Sequence, residues 1–202
     1  MNFIIEERIK KQINEILEKD GVIAFVTDTV WGIGCLPSKE KAVEKIYEIK
    51  GRDRSKPLIL MSSDFKNLER YVEEDIPLKA RSLKEKYLPG ALTIVLKKSK
   101  ENTPDYITSG MSTVGLRVPD NIVFRSICEL IKDKVLATTS ANLSNQASSK
   151  NYKEVIKMLG DKVDLIIDDY GYKAKGLEST VVKVNQDNTI EVLRNGAINI
   201  RD

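Results

Sequence analysis

The stretch Gly21-Val-Ile-Ala-Phe-Val-Thr-Asp-Thr-Val-Trp-Gly-Ile-Gly34 constrains this chain more than any other. Val22 to Val26 is an unbroken apolar run, the pattern of a short strand buried on both faces. It stops abruptly at Thr27, Asp28 and Thr29, three short polar side chains. In open α/β sheets, ligands gather where strands end and loops begin. Hydroxyl and carboxylate tips there can hold a ligand's polar atoms, and glycines such as Gly32 and Gly34 let backbone approach closely. A strand leading into an ordinary turn would use the same residues, so this stretch leaves both readings open.

The rest of the chain repeats the pattern. Ile5, Ile9, Ile13, Ile16 and Leu17 recur at helical spacing and predict an amphipathic helix over 6–19, ended by Asp20-Gly21. Ser38 is the candidate N-cap of a second helix that runs to Lys50-Gly51. Leu58 to Met61 reads as a buried strand, followed by helices near 64–73, after a Ser63-Asp64 cap, and 77–87. Strands are expected over 92–97, 113–118, 135–139 and 165–168, with helices capped by Asp120 and near 152–159. Segments 178–184 and 189–193 form a closing hairpin, turning at 186–188. Residues 99–112 read as an irregular segment, a candidate flexible flap. Helices interleave with strands and no linker or repeat interrupts them. The expectation is one α/β domain over residues 1–202 with a mixed sheet.

Histidine is absent from all 202 residues. That removes Ser-His-Asp and Cys-His nucleophile systems, histidine-ligated metals and histidine general bases. Two cysteines, Cys35 and Cys128, are too few for a disulfide framework or a cysteine-rich zinc site. A net charge of +3 admits an anionic ligand or RNA without arguing for either. Met1-Asn-Phe-Ile-Ile runs directly into Glu6-Glu7-Arg8, which is no signal peptide. No apolar run approaches the roughly 20 residues of a membrane span. A cytoplasmic location is the expectation.

Several apolar strands end in small polar groups: Thr27 and Thr29, Ser140 and Asn142, Ser179 and Thr180. Basic residues (Lys50, Arg52, Lys56, Arg117 and Arg194) stand at element ends. The loop Lys50 to Pro57 is either a solvated charged loop or a phosphate-binding one. Arg117 lies inside an apolar strand and needs either a structural partner or a ligand. Gly171 to Gly176 lacks the Lys-Ser/Thr of a P-loop, and Gly32-Ile-Gly34 lacks the rest of a dinucleotide fingerprint. What remains suits phosphoryl or nucleotidyl transfer, where positioning and charge stabilisation suffice without a histidine base.

Thr27-Asp-Thr-Val-Trp-Gly32, Lys50-Gly-Arg52 with Lys56-Pro57-Leu58, Ser140-Ala-Asn142, Ser179-Thr-Val-Val182 and Leu193-Arg-Asn-Gly196 follow one another in a telling order. By these motifs the chain resembles the YrdC-like threonylcarbamoyl-AMP synthases over about 6–198, in their short form without an added C-terminal domain. The resemblance implies a twisted sheet of mixed parallel and antiparallel strands, flanked by helices around a large basic cavity. It implies condensation of L-threonine, bicarbonate or CO2, and ATP to threonylcarbamoyl-AMP and pyrophosphate, the first step of t6A modification at position 37 of tRNA. Carried over by position, Lys50 and Arg52 are the expected catalytic cations. Thr29, Arg117, Thr138 and Ser179 would hold L-threonine. Arg52, Lys56, Thr113, Ser140, Asn142, Ser148 and Arg194 would hold ATP. Mg²⁺ is expected with ATP but no permanent metal site, and Asp28 would either order its loop or help place that ion. Downstream transfer proteins are the implied partners, with tRNA itself a possible one.

The chain departs from the family pattern at Val26 and Asn195, where proline is usual, and at Trp31, where tyrosine is common. Trp31 keeps an aromatic wall without the hydroxyl. The alternative of another class is a non-catalytic YrdC-like RNA-binding module, using basic segments at Lys79-Ala-Arg81, Lys84-Glu-Lys86 and Lys97-Lys98. Carbamoyl-transfer relatives form a third option, but they normally sit in much larger chains with zinc-finger and acylphosphatase-like parts.

Overall fold

Ile13 and Leu17 are the buried stripe of the first helix, α1 (Glu7–Glu18). A computed structural model describes residues 5–200 of the chain. The opening apolar run becomes β1 (Ile23–Phe25), buried throughout. Past its polar end, where the sequence marks no strand, the chain turns back into a second strand, β2 (Gly32–Cys35). It pairs antiparallel with β1, setting Gly32 opposite Phe25 and Gly34 opposite Ile23. A Cβ on Gly32 would stand 2.8 Å from the Phe25 ring, and one on Gly34 would stand 2.9 Å from the Thr138 methyl. The two glycines therefore make room for Phe25, whose ring packs on Phe124 at 5.0 Å between centroids. Gly32 does line the cavity described below, but the space it leaves is filled by protein.

Helix α2 (Glu40–Lys50) begins after Ser38; its N-cap position is Lys39, which makes no side-chain cap. It ends at Gly51 in the left-handed region, φ 55°, and β3 (Ile59–Ser62) follows. In place of a helix over 64–73 there are two short 3₁₀ turns, Phe65–Asn67 and Glu69–Tyr71. Asp64 does cap the first of these, accepting from Lys66 N at 2.9 Å. Helix α3 (Leu78–Tyr87) and β4 (Leu92–Lys97) come next.

The segment expected to be a flap is bolted down. It contains α4 (Asp105–Thr108), in which Ile107 and Thr108 are buried. Thr103 Oγ1 donates to Tyr71 O at 2.6 Å, Tyr106 OH to Pro37 O at 2.8 Å, and Leu58 N to Ile107 O at 2.9 Å. Lys98, inside one of the basic segments, is buried against Asp105 and Thr108.

Strand β5 (Thr113–Arg117) leads to α5 (Ile122–Leu130), capped by Asn121 rather than Asp120. The Asn121 side chain accepts from Phe124 N at 3.1 Å. The chain closes with β6 (Val135–Ser140), α6 (Tyr152–Leu159), β7 (Leu165–Ile166), β8 (Thr180–Val184) and β9 (Ile190–Arg194). Cys35 and Cys128 are buried free thiols, and burial pushes both to high pKa, leaving them unreactive.

Among the described residues nine strands form one mixed sheet in the order β7-β1-β2-β6-β3-β5-β4-β8-β9. Pairs β1–β7, β3–β5 and β4–β8 are parallel and the others antiparallel. Consecutive strands β7 and β8 occupy the first and eighth places, joined only by residues 167–179. On a flat sheet the start of β8 would lie about 24 Å from β2, five strand spacings of ~4.8 Å, farther than the roughly 14 Å that the four residues from Gly176 to Thr180 can reach. The connection instead touches the β1–β2 turn, with Gly176 N donating to Thr29 O at 2.7 Å. The sheet is curled, and residues 167–179 are the strap across its opening.

Candidate active site

Curling brings the polar strand ends to one place. They line a cavity of about 370 Å³, within the size range of small-molecule sites. Register puts its wall residues on a shared face: Ile59 beside Thr138, Met61 beside Arg117, Thr93 beside Val181.

Arg117, at the end of β5, is almost fully buried. Nη2 contacts Asp28 Oδ1 at 2.6 Å, Nη1 donates to Thr29 Oγ1 at 2.8 Å, and Nε donates to Gly90 O at 3.0 Å. Burial pulls this guanidinium below its ordinary pKa range, and the Asp28 carboxylate works against that. Asp28 is thereby committed to Arg117, and orders the turn that carries Thr27 and Thr29. Thr27 Oγ1 in turn donates to Val30 O at 2.6 Å and accepts from Thr29 N at 3.2 Å. Ser179 lies across the cavity, its hydroxyl 2.8 Å from Thr93 Oγ1.

At the other end, the loop after α2 folds inward. Arg52 donates to Thr139 Oγ1 at 3.1 Å and to its own loop at Lys56 O, 3.2 Å, and Pro57 O, 3.1 Å. Arg54 points away to Glu44 at 3.3 Å. The Lys56 ammonium is exposed, with no hydrogen bond or ion pair among the described residues.

Lys50 is buried, and its ammonium donates to Ser140 O at 2.6 Å, Asn142 O at 2.7 Å and Asn142 Oδ1 at 2.9 Å. Those three bonds use all its protons. Asn142 Oδ1 also accepts from Ser140 Oγ at 2.6 Å, while its Nδ2 donates to Leu143 O and Gln146 O. In this arrangement Lys50 and Asn142 hold the loop after β6, and Ser140 and the backbone face the cavity. Burial and the nearby Arg52 push the Lys50 pKa down to about 7, against the pull of Glu178.

Of the residues singled out from sequence, Thr29, Lys50, Arg52, Lys56, Arg117, Thr138, Ser140, Asn142, Ser179 and Arg194 line this cavity. Thr113 and Ser148 are not in its wall. Thr113 starts the strand that Arg117 ends, and pairs with Lys97 at that far end. Ser148 reaches the wall only through Glu178, donating to its Oε1 at 2.9 Å.

Residues not foreseen in the wall include Thr93, Thr139, Met61 and Glu178. Glu178 ion-pairs with Arg194 Nη1, while Arg194 Nε donates to Ser179 O and Nη2 to Ser179 Oγ, both at 3.1 Å. Its sequence signal was its place directly before Ser179-Thr180, an acid at a polar strand end. Trp31 is wholly buried in the wall, its ring 5.9 Å from Tyr152. Its Nε1 is the buried side-chain polar atom without a hydrogen-bond partner among the described residues.

At least three of the six cations in the basic segments weighed for RNA are ion-paired. Lys84 pairs with Glu69, Lys97 with Glu73 and Lys98 with Asp105.

Comparison with known proteins points the same way as the geometry. The family model Sua5_yciO_yrdC, described as "Telomere recombination", matches residues 15–196. A Methanocaldococcus jannaschii protein is 35% identical over 202 residues, spanning 98% of this chain and 92% of its own. A Pyrococcus abyssi protein named threonylcarbamoyl-AMP synthase is 38% identical over 165 residues, 82% of this chain. This chain covers 47% of that longer relative. The crystal structure of P. abyssi Sua5 complexed with L-threonine superposes with a TM-score of 0.87 at 34% identity, over 96% of this chain and 56% of that one.

Proposed function

The chain belongs to the Sua5/YciO/YrdC family, and from that membership we propose that it is an L-threonylcarbamoyladenylate synthase. The observation that carries the reading is one cavity with Arg117 among hydroxyls at one end, Arg52 and Lys56 from the loop after α2 at the other, and Arg194, bonded to Ser179, also in its wall. The first end suits an amino acid: a guanidinium for the carboxylate, with Thr29, Thr138 and Ser179 for the polar atoms. The second suits a triphosphate, with Ser140 beside it. Relatives named for this activity support it, as does the L-threonine complex of the P. abyssi protein.

On this reading the threonine amine takes up CO2 as a carbamate, releasing a proton. A carbamate oxygen then attacks the α-phosphorus of ATP, and the α–β bridging bond breaks to release pyrophosphate. Arg52, Lys56 and Arg194 offset the charge that develops on phosphate and leaving group, which is the main task in phosphoryl chemistry. Lys50 and Asn142 act as positioning residues, holding Ser140 in place. No group of three or more potential metal ligands exists among the described residues, and Glu178 is the cavity's sole carboxylate. That donor set fits Mg²⁺ arriving on the nucleotide, where it would lower the triphosphate's charge, rather than a metal held by the protein alone. The product would pass to proteins that transfer the threonylcarbamoyl group to adenosine 37 of tRNA. No helix among the described residues is long and apolar enough to cross a membrane, in keeping with a cytoplasmic enzyme.

The test is pyrophosphate release from ATP, which should require both L-threonine and bicarbonate. Equal release without threonine would sink the proposal.

A further inference from the structure

Among the described residues, Glu178 is the one acidic side chain in a wall that also presents Lys50, Arg52, Lys56, Arg117 and Arg194. Its carboxylate is held by Arg194 and by Ser148 Oγ, the latter at 2.9 Å. Arg194 is a donor that the proposed function gives to the nucleotide, so any role for Glu178 toward the nucleotide rests on that reading. A carboxylate and a phosphate offer a guanidinium the same paired acceptors. In this structure the protein's own carboxylate holds the position a phosphate would need. Its charge also acts beyond its contacts, holding up the pKa values of Lys50 and Arg52.

Two forms of the nucleotide meet this arrangement differently. Bare ATP has to displace Glu178 from Arg194 and then leaves a carboxylate facing phosphates with no cation of its own. The magnesium complex carries less negative charge and brings a cation for the displaced carboxylate. Mg²⁺ is characteristically held by one or two carboxylates together with substrate phosphates, its remaining positions taken by water. We propose that Glu178 is the specificity-determining residue that makes this cavity accept the magnesium complex of the nucleotide over the bare one.

Titration calorimetry with ATP, once with Mg²⁺ and once with a chelator, tests this without threonine, bicarbonate or turnover. The wild-type protein should bind the magnesium complex more tightly. Glu178→Gln keeps the size and the acceptor oxygen but removes the charge. It should bind bare ATP about fivefold tighter than wild type, the scale of one partly exposed charge contact, and the magnesium complex no tighter. Glu178→Asp, which keeps the charge, should return the preference toward wild type. Loss of both affinities by the same factor in Glu178→Gln would mean that Glu178 only holds Arg194 and the Ser148 segment in place, overturning the proposal. An unchanged ratio would overturn it too. If the wild-type protein binds neither form, the nucleotide reading itself fails and this inference with it.

Discussion

Arg117 and Lys56 are both cations of the same cavity, yet they should fail in different ways when removed. Arg117 is buried with Asp28, so Arg117→Ala strands a carboxylate away from water. Breaking a buried pair from one side costs about 3–5 kcal/mol, and denaturant unfolding should show a loss of that size together with a raised threonine requirement. Lys56 has no partner among the described residues to strand. Lys56→Ala should change stability by less than about 0.5 kcal/mol, as an exposed substitution does, while raising the ATP KM. If the two variants lose equal stability, the burial assigned to the Asp28–Arg117 pair is wrong. The sequence left Arg117 balanced between a structural partner and a ligand, and the structure shows why it could not choose. The guanidinium has its partner and still lines the cavity. Glu178 was harder to foresee, because its contacts, Ser148 and Arg194, lie 30 and 16 residues away.

Strand β2 shows what an element owes to its neighbours. Gly32 and Gly34, just past a polar turn, gave no strand pattern, because nothing local says that Phe25 will lie across them. Gly34→Ala would set a Cβ 2.9 Å from the Thr138 methyl and 3.0 Å from Ala137 O. Overpacking of this kind costs about 1–3 kcal/mol, which should appear as a lower denaturant midpoint. An unshifted midpoint would show that the strand yields more easily than its contacts imply. The mistaken flap has the same origin. Residues 99–112 carry turn-forming side chains and no periodic pattern, but Tyr71, Pro37 and Leu58 hold them through hydrogen bonds from distant parts of the chain. Periodic elements such as α1 and α6 were legible because their signal lies within one or two turns. Caps were misplaced by a residue, Asp120 for Asn121, since either side chain can accept from the first turn.

At the scale of the whole molecule, the class of fold was readable and the order of strands was not. Interleaved helices and buried strands imply an α/β sheet, but pairings such as β1 with β7 join residues about 140 positions apart in sequence. The cavity exists only because that order curls the sheet and sends the strap of 167–179 across the opening. Polar strand ends and scattered cations identified the five cations and several of the hydroxyls in its wall, since a site needs those chemistries wherever the strands finally meet. Trp31, buried in that wall, is also the chain's single tryptophan. The protein therefore carries its own optical probe at the cavity. Excitation near the red edge of the tyrosine band should give emission from Trp31 alone. Adding L-threonine or ATP should change that emission along a saturable curve with the calorimetric midpoint. Heat of binding with no change in emission would place the ligand elsewhere, and Trp31→Phe should leave the titration dark.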